Sequence, residues 1–308
     1  MRIVSWSAIA LAFAASTAWA QEDWSAVEVR IEPVAGNVHM LTGRGGNLGV
    51  LVGDDGIILV DDQYAPLTEK ILAALKTLSP KPVRFVINTH MHGDHTGGNE
   101  NLGRGGSIVV AHDNVRRRMS EEQFNAAFDR RTPPSAPGAL PIVTFSADVT
   151  LHQNGEEMHV FHVQNSHTDG DSIVHFRKAD VIHMGDTYFN GLYPFVDTGA
   201  GGSLAGVIAV ADQVLGMMND QTLIIPGHGK VSRRAELQRY RDVLATVRSR
   251  MLALIESGKT YEEIVAAAPM KDLDAEWGWY FITPERLLKM VHEDLSRKAK
   301  AQTSDPRK

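Results

Sequence analysis

Apolar positions along the chain recur in two rounds, each alternating strand-like runs with helix-like spacing. Runs at 26–31 and 38–41 predict short strands separated by Pro33 and Gly36-Asn37. Runs at 47–52 and 57–60 bracket Gly53-Asp54-Asp55-Gly56, a hairpin signal. Leu67, Ile71, Leu72, Leu75 and Leu78 then fall at helical intervals, and Pro80 and Pro82 end that helix. A further apolar run at 83–88 predicts a strand. The order strand, strand, helix, strand implies helices packed over a mixed sheet.

The second round begins beyond a proline-rich connection at 132–141. Before it, the pattern predicts a helix starting at 97–102, a buried strand at 107–111 and a polar surface helix over 113–128. After it, 149–151 and 157–163 flank Asn154-Gly155, and 173–176 and 181–184 flank Arg177-Lys178-Ala179-Asp180, making two hairpins. A helix over 204–217 and a short strand at 222–225 follow. The last third is helical: Leu237, Tyr240, Leu244, Val247, Met251 and Leu254 repeat at intervals of three and four. Shorter helices are expected at 261–267 and 284–295, before a polar end at 298–308.

Composition narrows the class. Of 308 residues, 43% are hydrophobic and 22% charged, the balance of a globular protein. Arg2, the short apolar run 8–15 and Ala18-Trp19-Ala20 together read as a secretory signal peptide over residues 1–20, which predicts a periplasmic or secreted protein. No other stretch offers enough uninterrupted apolar residues to span a membrane once that segment is cleaved. The formal net charge is −6, and the short run Arg116-Arg117-Arg118 makes no basic stripe for nucleic acid. That run is expected on a solvated helix face. There are no cysteines, so any metal must be held by His and carboxylate groups, and thiol nucleophiles are excluded.

The chemistry concentrates in Thr89-His90-Met91-His92-Gly93-Asp94-His95-Thr96-Gly97-Gly98-Asn99. If the chain leaves the strand at 83–88 extended, His90 and His92 point to one side. Gly93 permits a turn, after which Asp94 and His95 need not serve the same centre. Two adjacent metal positions are suggested. Three more candidates each follow a predicted strand and lie near glycine: His167, Asp186 in Gly185-Asp186-Thr187, and His228 in Pro226-Gly227-His228-Gly229. Taken singly each is weak, because a lone histidine after a strand is more often a satisfied polar residue than a ligand.

Taken together, His90-x-His92-x-Asp94-His95, His167, Asp186 and Pro-Gly-His228 resemble the metallo-β-lactamase superfamily, from about Val38 to about Gly229. The resemblance implies an α/β fold, a four-layer αβ/βα sandwich over residues 21–232. Residues 233–308 would be a helical extension packed on the same domain. It implies two Zn2+ ions, one on His90, His92 and His167, the other on Asp94, His95 and His228, with Asp186 bridging. Asp61 matches the carboxylate that orients a ligand imidazole in that family. The implied activity is a hydrolase in which a hydroxide shared by two zinc ions about 3.5–4 Å apart attacks an amide or ester carbonyl. Asp94 would orient or shuttle the proton.

The substrate is the open point. The full ligand set resembles glyoxalase II-like thioesterases, but those act on cytosolic thioesters and this chain carries an export signal. Acidity argues against RNA-processing members, and the complete histidine set against persulfide dioxygenase-like members. Secreted β-lactamases share export, size and the His90–His95 run, yet one group has cysteine where Asp186 stands and another has asparagine where His90 stands. The reading is therefore a small-molecule hydrolase of an amide or ester, β-lactams included. A thioesterase or lactonase of the same fold is the alternative, and a non-catalytic metal-binding scaffold is the alternative from another class. Residues 188–195 and 198–202 are expected to wall the groove, with Asn190 and Tyr193 touching a substrate carbonyl or carboxylate, and 42–46 to form a flap opposite.

Overall fold

A computed structural model describes residues 23–303, with side chains to residue 297; the predicted signal peptide lies outside the described residues. The first sheet opens with an antiparallel meander of β1 (Arg30–Ala35), β2 (Val38–Thr42), β3 (Leu48–Gly53) and β4 (Gly56–Val60). Helix α1 (Thr68–Leu75) crosses to β5 (Val83–Asn88), parallel to β4. Helices α2 (Gly93–Thr96) and α3 (Asn99–Arg104) cross to β6 (Ile108–His112), parallel to β5. Helix α4 (Asp113–Met119) and a small hairpin, β7 (Gln123–Asn125) with β8 (Arg130–Thr132), precede β9 (Val143–Phe145), which closes the far edge of this seven-stranded sheet. Every residue of β4 is buried, as expected for an inner strand covered on both faces.

The second sheet is built from β10 (Asp148–Gln153), β11 (Glu156–His162), β12 (Ser172–Phe176) and β13 (Val181–His183), all antiparallel neighbours. Helix α5 (Leu204–Met217) then returns the chain to β14 (Leu223–Ile225), parallel to β13. The remainder is α6 (Arg234–Glu256), α7 (Tyr261–Ala267), α8 (Lys271–Trp277) and α9 (Pro284–Thr303). Among the described residues no helix is long and apolar enough to cross a membrane.

Strand alternation sorts the apolar side chains into layers. Met40, Leu51, Ile58 and Ile87 face Val160, Val174 and Phe176 across the interior. Leu41, Val50 and Leu59 turn the other way, onto Leu67, Ile71 and Leu75 of the α1 layer. Phe161, Ile173 and Ile182 face α5 and α6, where Val207, Val214, Leu237 and Leu244 meet them. This is the αβ/βα sandwich, and the C-terminal helices extend its outer layer through Trp277, Leu287 and Val291.

Several elements differ from the pattern-based expectation. The first strand lies at Arg30–Ala35 rather than 26–31 and runs through Pro33, which an edge strand with a register break at Pro33/Ala35 tolerates. The helix expected through Leu67 and Leu78 begins as a 3-10 turn at Ala65–Leu67, and its α-helical part ends at Leu75. The surface helix expected over 113–128 stops at Met119. Its sparse apolar positions give no continuous stripe to bury, so the chain doubles back as β7 and β8, with Phe124 half-exposed beneath the Arg131 guanidinium. Strand β9 and helix α8 lie outside the expectation: Val143 of β9 is half-exposed, and the apolar residues of α8, Leu273, Ala275 and Trp277, fall at every second position instead of at helical intervals. The Arg116–Arg118 run is not merely solvated: Arg117 and Arg118 both grip Asp169, 3.0 and 2.8 Å away.

Candidate metal centre

The ligand-type side chains all emerge where strands end at one rim of the sandwich, the place where open α/β sheets gather ligands. β5 delivers Thr89, His90 and His92, and α2 starts at Gly93 and carries Asp94 and His95. The loop from β11 to β12 carries His167. β13 runs into a tight turn holding Asp186, and β14 into Pro226-Gly227-His228. Gly185 is in the left-handed region at φ +50°, and a Cβ there would lie 2.7 Å from Thr89 Oγ1, so only glycine brings Asp186 so close to the β5 loop. Asn47 knots the last loop down: its amide donates to the Pro226 and Gly229 carbonyls at 2.9 and 2.8 Å.

Two groups result. His90, His92, His167 and Asp186 offer ligating atoms within 4.8 Å of one another, and so do Asp94, His95 and His228. The Asp186 carboxylate lies between them. One oxygen is 3.8 Å from His90 Nε2, 3.7 Å from His167 Nε2 and 3.5 Å from His228 Nε2; the other is 3.1 Å from His95 Nε2. Asp94 closes the second group, 3.6 Å from His95 Nε2 and 3.5 Å from His228 Nε2. The donor set is imidazole and carboxylate, suited to a borderline divalent metal. The fit is sharper than composition alone: His90 Nε2, His95 Nε2, His228 Nε2 and Asp186 Oδ1 are buried and have no hydrogen-bond partner. Converging buried polar atoms without hydrogen bonds are costly unless a cation satisfies them.

The opposite ring nitrogens are held by the protein. Asp61, fully buried and at φ +63°, accepts from the Thr89 amide and hydroxyl and binds His95 Nδ1, each at 2.7 Å. Thr89 Oγ1 also reaches His90 Nδ1 at 3.0 Å. His167 Nδ1 meets the Phe195 carbonyl at 2.8 Å, and His92 Nε2 meets Asp197 at 3.0 Å. These contacts fix both ring orientation and tautomer. Burial drives the His90 imidazole well below its ordinary pKa, and burial with the neighbouring His92 takes His167 down to about 4. Burial opposes protonation of His95 and His228 as well, but the Asp186 and Asp94 carboxylates override it and raise both, His228 to about 9. This field of carboxylates at the rim attracts cations.

All seven candidate ligands are thus brought together, with Asp61 behind them. The proposed substrate contacts lie differently. The Tyr193 hydroxyl turns away to Asp274 of α8, at 3.0 Å, and the ring is buried among the C-terminal helices. The Asn190 amide donates to the Lys230 carbonyl at 2.9 Å, bracing the loop that carries His228. The 42–46 loop does flank the second group, tied by Gly46 N–H to the Asp94 carbonyl at 3.2 Å and by Gln63 to the Gly46 carbonyl at 2.7 Å. Asp197 was not foreseen. Its only signal is position, two residues beyond the wall segment 188–195.

Fold and site together define a protein with an αββα sandwich and a rim able to hold two adjacent divalent metals. The sequence profile of the metallo-beta-lactamase superfamily matches residues 41–229, and the chain belongs to that superfamily. Its structure is similar to the metallo-beta-lactamase from Pontibacter korlensis, with a TM-score of 0.59 and 20% identity, covering 71% of this chain and 99% of that one. It is also similar to the sec-alkylsulfatase Pisa1 from Pseudomonas sp., with a TM-score of 0.63 and 18% identity over 91% of this chain and 52% of that one. Among curated proteins, the alpha subunit of 2,4-dinitroanisole O-demethylase from Nocardioides sp. is 27% identical over 66% of this chain and 58% of its own length. Alkyl/aryl-sulfatase BDS1 from Saccharomyces cerevisiae is 22% identical over 89% of this chain and 50% of its own length. The chain spans about half the length of the curated relatives it matches.

Proposed function

We propose that this chain is an exported zinc-dependent hydrolase that cleaves an amide or ester carbonyl in a small molecule, β-lactams, lactones and thioesters being the candidate substrates. The observation that supports it is the pair of ligand groups sharing Asp186, with four buried ligating atoms unpartnered. His90, His92 and His167 would hold one metal, Asp94, His95 and His228 the other, with Asp186 between them. When bound, such a pair supplies Lewis acidity and an acidified water. The chain's own groups then divide the work. Asp61, Asp197 and the Phe195 carbonyl keep the ligand rings in one tautomer, so no reorganisation is needed at the moment of reaction. Asp94 is the more open carboxylate, its side chain 22% exposed against 5% for Asp186, and is placed to accept and pass on the proton released on attack. No side-chain nucleophile is required.

A second reading is hydrolysis of a sulfate or other non-carbonyl ester. The observation favouring it is that likeness to the alkyl sulfatases covers about nine-tenths of this chain, more of it than the likeness to the lactamase does. A panel of a chromogenic lactam, a lactone, a thioester and an aryl sulfate, with metal analysis alongside, separates the two. Chelator-reversible turnover of a carbonyl substrate supports the first reading, and sulfate release alone supports the second. If His92→Ala and Asp94→Ala left both metal content and every tested activity unchanged, neither reading of this site would stand.

A further inference from the structure

Three consecutive aromatic residues, Trp279-Tyr280-Phe281, lie in the connection between α8 and α9. Trp279 is 66% exposed and Tyr280 46%, unusual for side chains of this size lying side by side. They are not a frayed end. Buried Trp277 and Ile282 pin the loop on either side, and the Arg286 guanidinium donates to the Phe281 carbonyl at 2.6 Å. Gly278 lets the base close tightly, since a Cβ there would sit 2.9 Å from the Pro284 ring. The rings form a continuous path from surface to site: Trp279 to Tyr280 at 5.7 Å, Tyr280 to Phe281 at 5.1 Å, Phe281 to the His228 imidazole at 5.7 Å. A second aromatic pair touches the other ligand group, with Phe195 5.5 Å from His92 and Phe128 5.2 Å from Phe195. Arg286 joins the two, its guanidinium over the Phe128 ring at 5.1 Å.

We infer that Trp279, Tyr280 and Phe281 form a binding wall for an apolar group of the substrate, an aryl ring or an extended alkyl chain attached to the bond that is cleaved. The inference rests on the hydrolase reading for the word substrate, and on ring contacts alone for the site. A preformed aromatic wall gives such a group a surface to stack on with little ordering to be lost. It also gives the C-terminal helices a role at the centre: they carry the wall.

The test binds two product-like carboxylates, 4-phenylbutanoate and acetate, to the zinc-loaded full chain by calorimetry. The wild type is expected to prefer 4-phenylbutanoate by on the order of tenfold or more, from apolar area removed from water. Trp279→Ser and Tyr280→Ser, both exposed positions, should each reduce that preference. Ile142→Ser, an exposed apolar position at 68% beside β6, should keep it. Equal affinity for the two acids, or a preference intact in both variants, overturns the inference. So does a dimer in sedimentation that dissociates on Trp279→Ser, because the run would then cover a second copy. A tryptophan-dependent preference in a protein that hydrolyses no carbonyl substrate sinks the proposed activity and leaves the wall standing; turnover without the preference does the reverse.

Discussion

Asp61→Asn is the most searching single change available in this chain. The substitution is isosteric, and asparagine tolerates the left-handed backbone that residue 61 adopts at φ +63°, so the backbone is left alone. The new amide can still accept from the Thr89 N–H and donate to the Thr89 hydroxyl. It cannot accept from His95 Nδ1–H as well. His95 must then present Nδ1 as the acceptor and move its proton to Nε2, the nitrogen that points at Asp94 and Asp186. A protonated Nε2 is no ligand. Losing one hydrogen bond to a charged group costs about 1.5–3 kcal/mol, and loss of such a partner behind a ligand weakens metal by about 10–100-fold. The weakening is expected at the Asp94, His95 and His228 group and not at His90, His92 and His167. Competitive chelator titration of the protein loaded with two equivalents of zinc, monitored as stepwise metal release, measures it. Asp197→Asn is the mirror control: among the candidate ligands its carboxylate bonds only His92, and it otherwise accepts from the Ala200 amide and Asn125. If Asp61→Asn released both metals together, or neither more readily than wild type, the tautomer argument would be wrong.

Two further predictions follow from packing and charge. Gly46→Ala places a methyl on the His95 ring, with the Asp94 side of the loop closed by Gly45; it should lower stability by about 1–3 kcal/mol and deplete the second metal. Thermal melting with metal analysis checks it, and a normal melting temperature with two metals would refute the close approach. Asp171, fully buried and accepting from the Thr168 amide and hydroxyl, is pushed up to about 7 by burial. Its folded pKa lies above its unfolded value of 3.8, so its stabilising contribution is whole below about pH 4 and is lost as pH rises toward 7. Asp171→Asn should therefore gain on wild type across that window, by at most about 4 kcal/mol at the top. Denaturant unfolding at pH 5 and 8 checks it; a gap that narrows with pH contradicts the sign.

Much of this molecule is legible along the chain, for reasons particular residues make plain. Strand β5 and helix α5 lie where periodicity puts them, because each buries one continuous apolar surface. Four of the seven candidate ligands stand in one short run, His90 to His95, and the other three are named through the resemblance, each being weak taken singly. What was not legible is set across the chain. Tyr193 lies close in sequence to Asp186, but its hydroxyl is claimed by Asp274, 81 residues on. Asp197 finds His92 across 105 residues, and Phe281 reaches His228 from the helical extension. Arg117 and Arg118 look like a solvated stripe until the His167 loop brings Asp169 beneath them. No periodicity encodes any of these, because each partner lies on an element placed by the tertiary fold.

The division of the ligands between the two halves of the sandwich has a consequence for how the protein matures. His90, His92, Asp94 and His95 follow β5 of the first sheet; His167, Asp186 and His228 follow strands of the second. During synthesis the first four exist long before the last, and neither group in its observed form is complete without the later residues. Each group is therefore complete only in a chain whose two sheets have already closed. A metal bound there would lock that closure, adding about 4 kcal/mol to the folded state when free metal stands at a thousand times its dissociation constant. Apart from metal, the two halves are joined by apolar packing and by hydrogen bonds such as those of Asn47 to the Pro226 and Gly229 carbonyls.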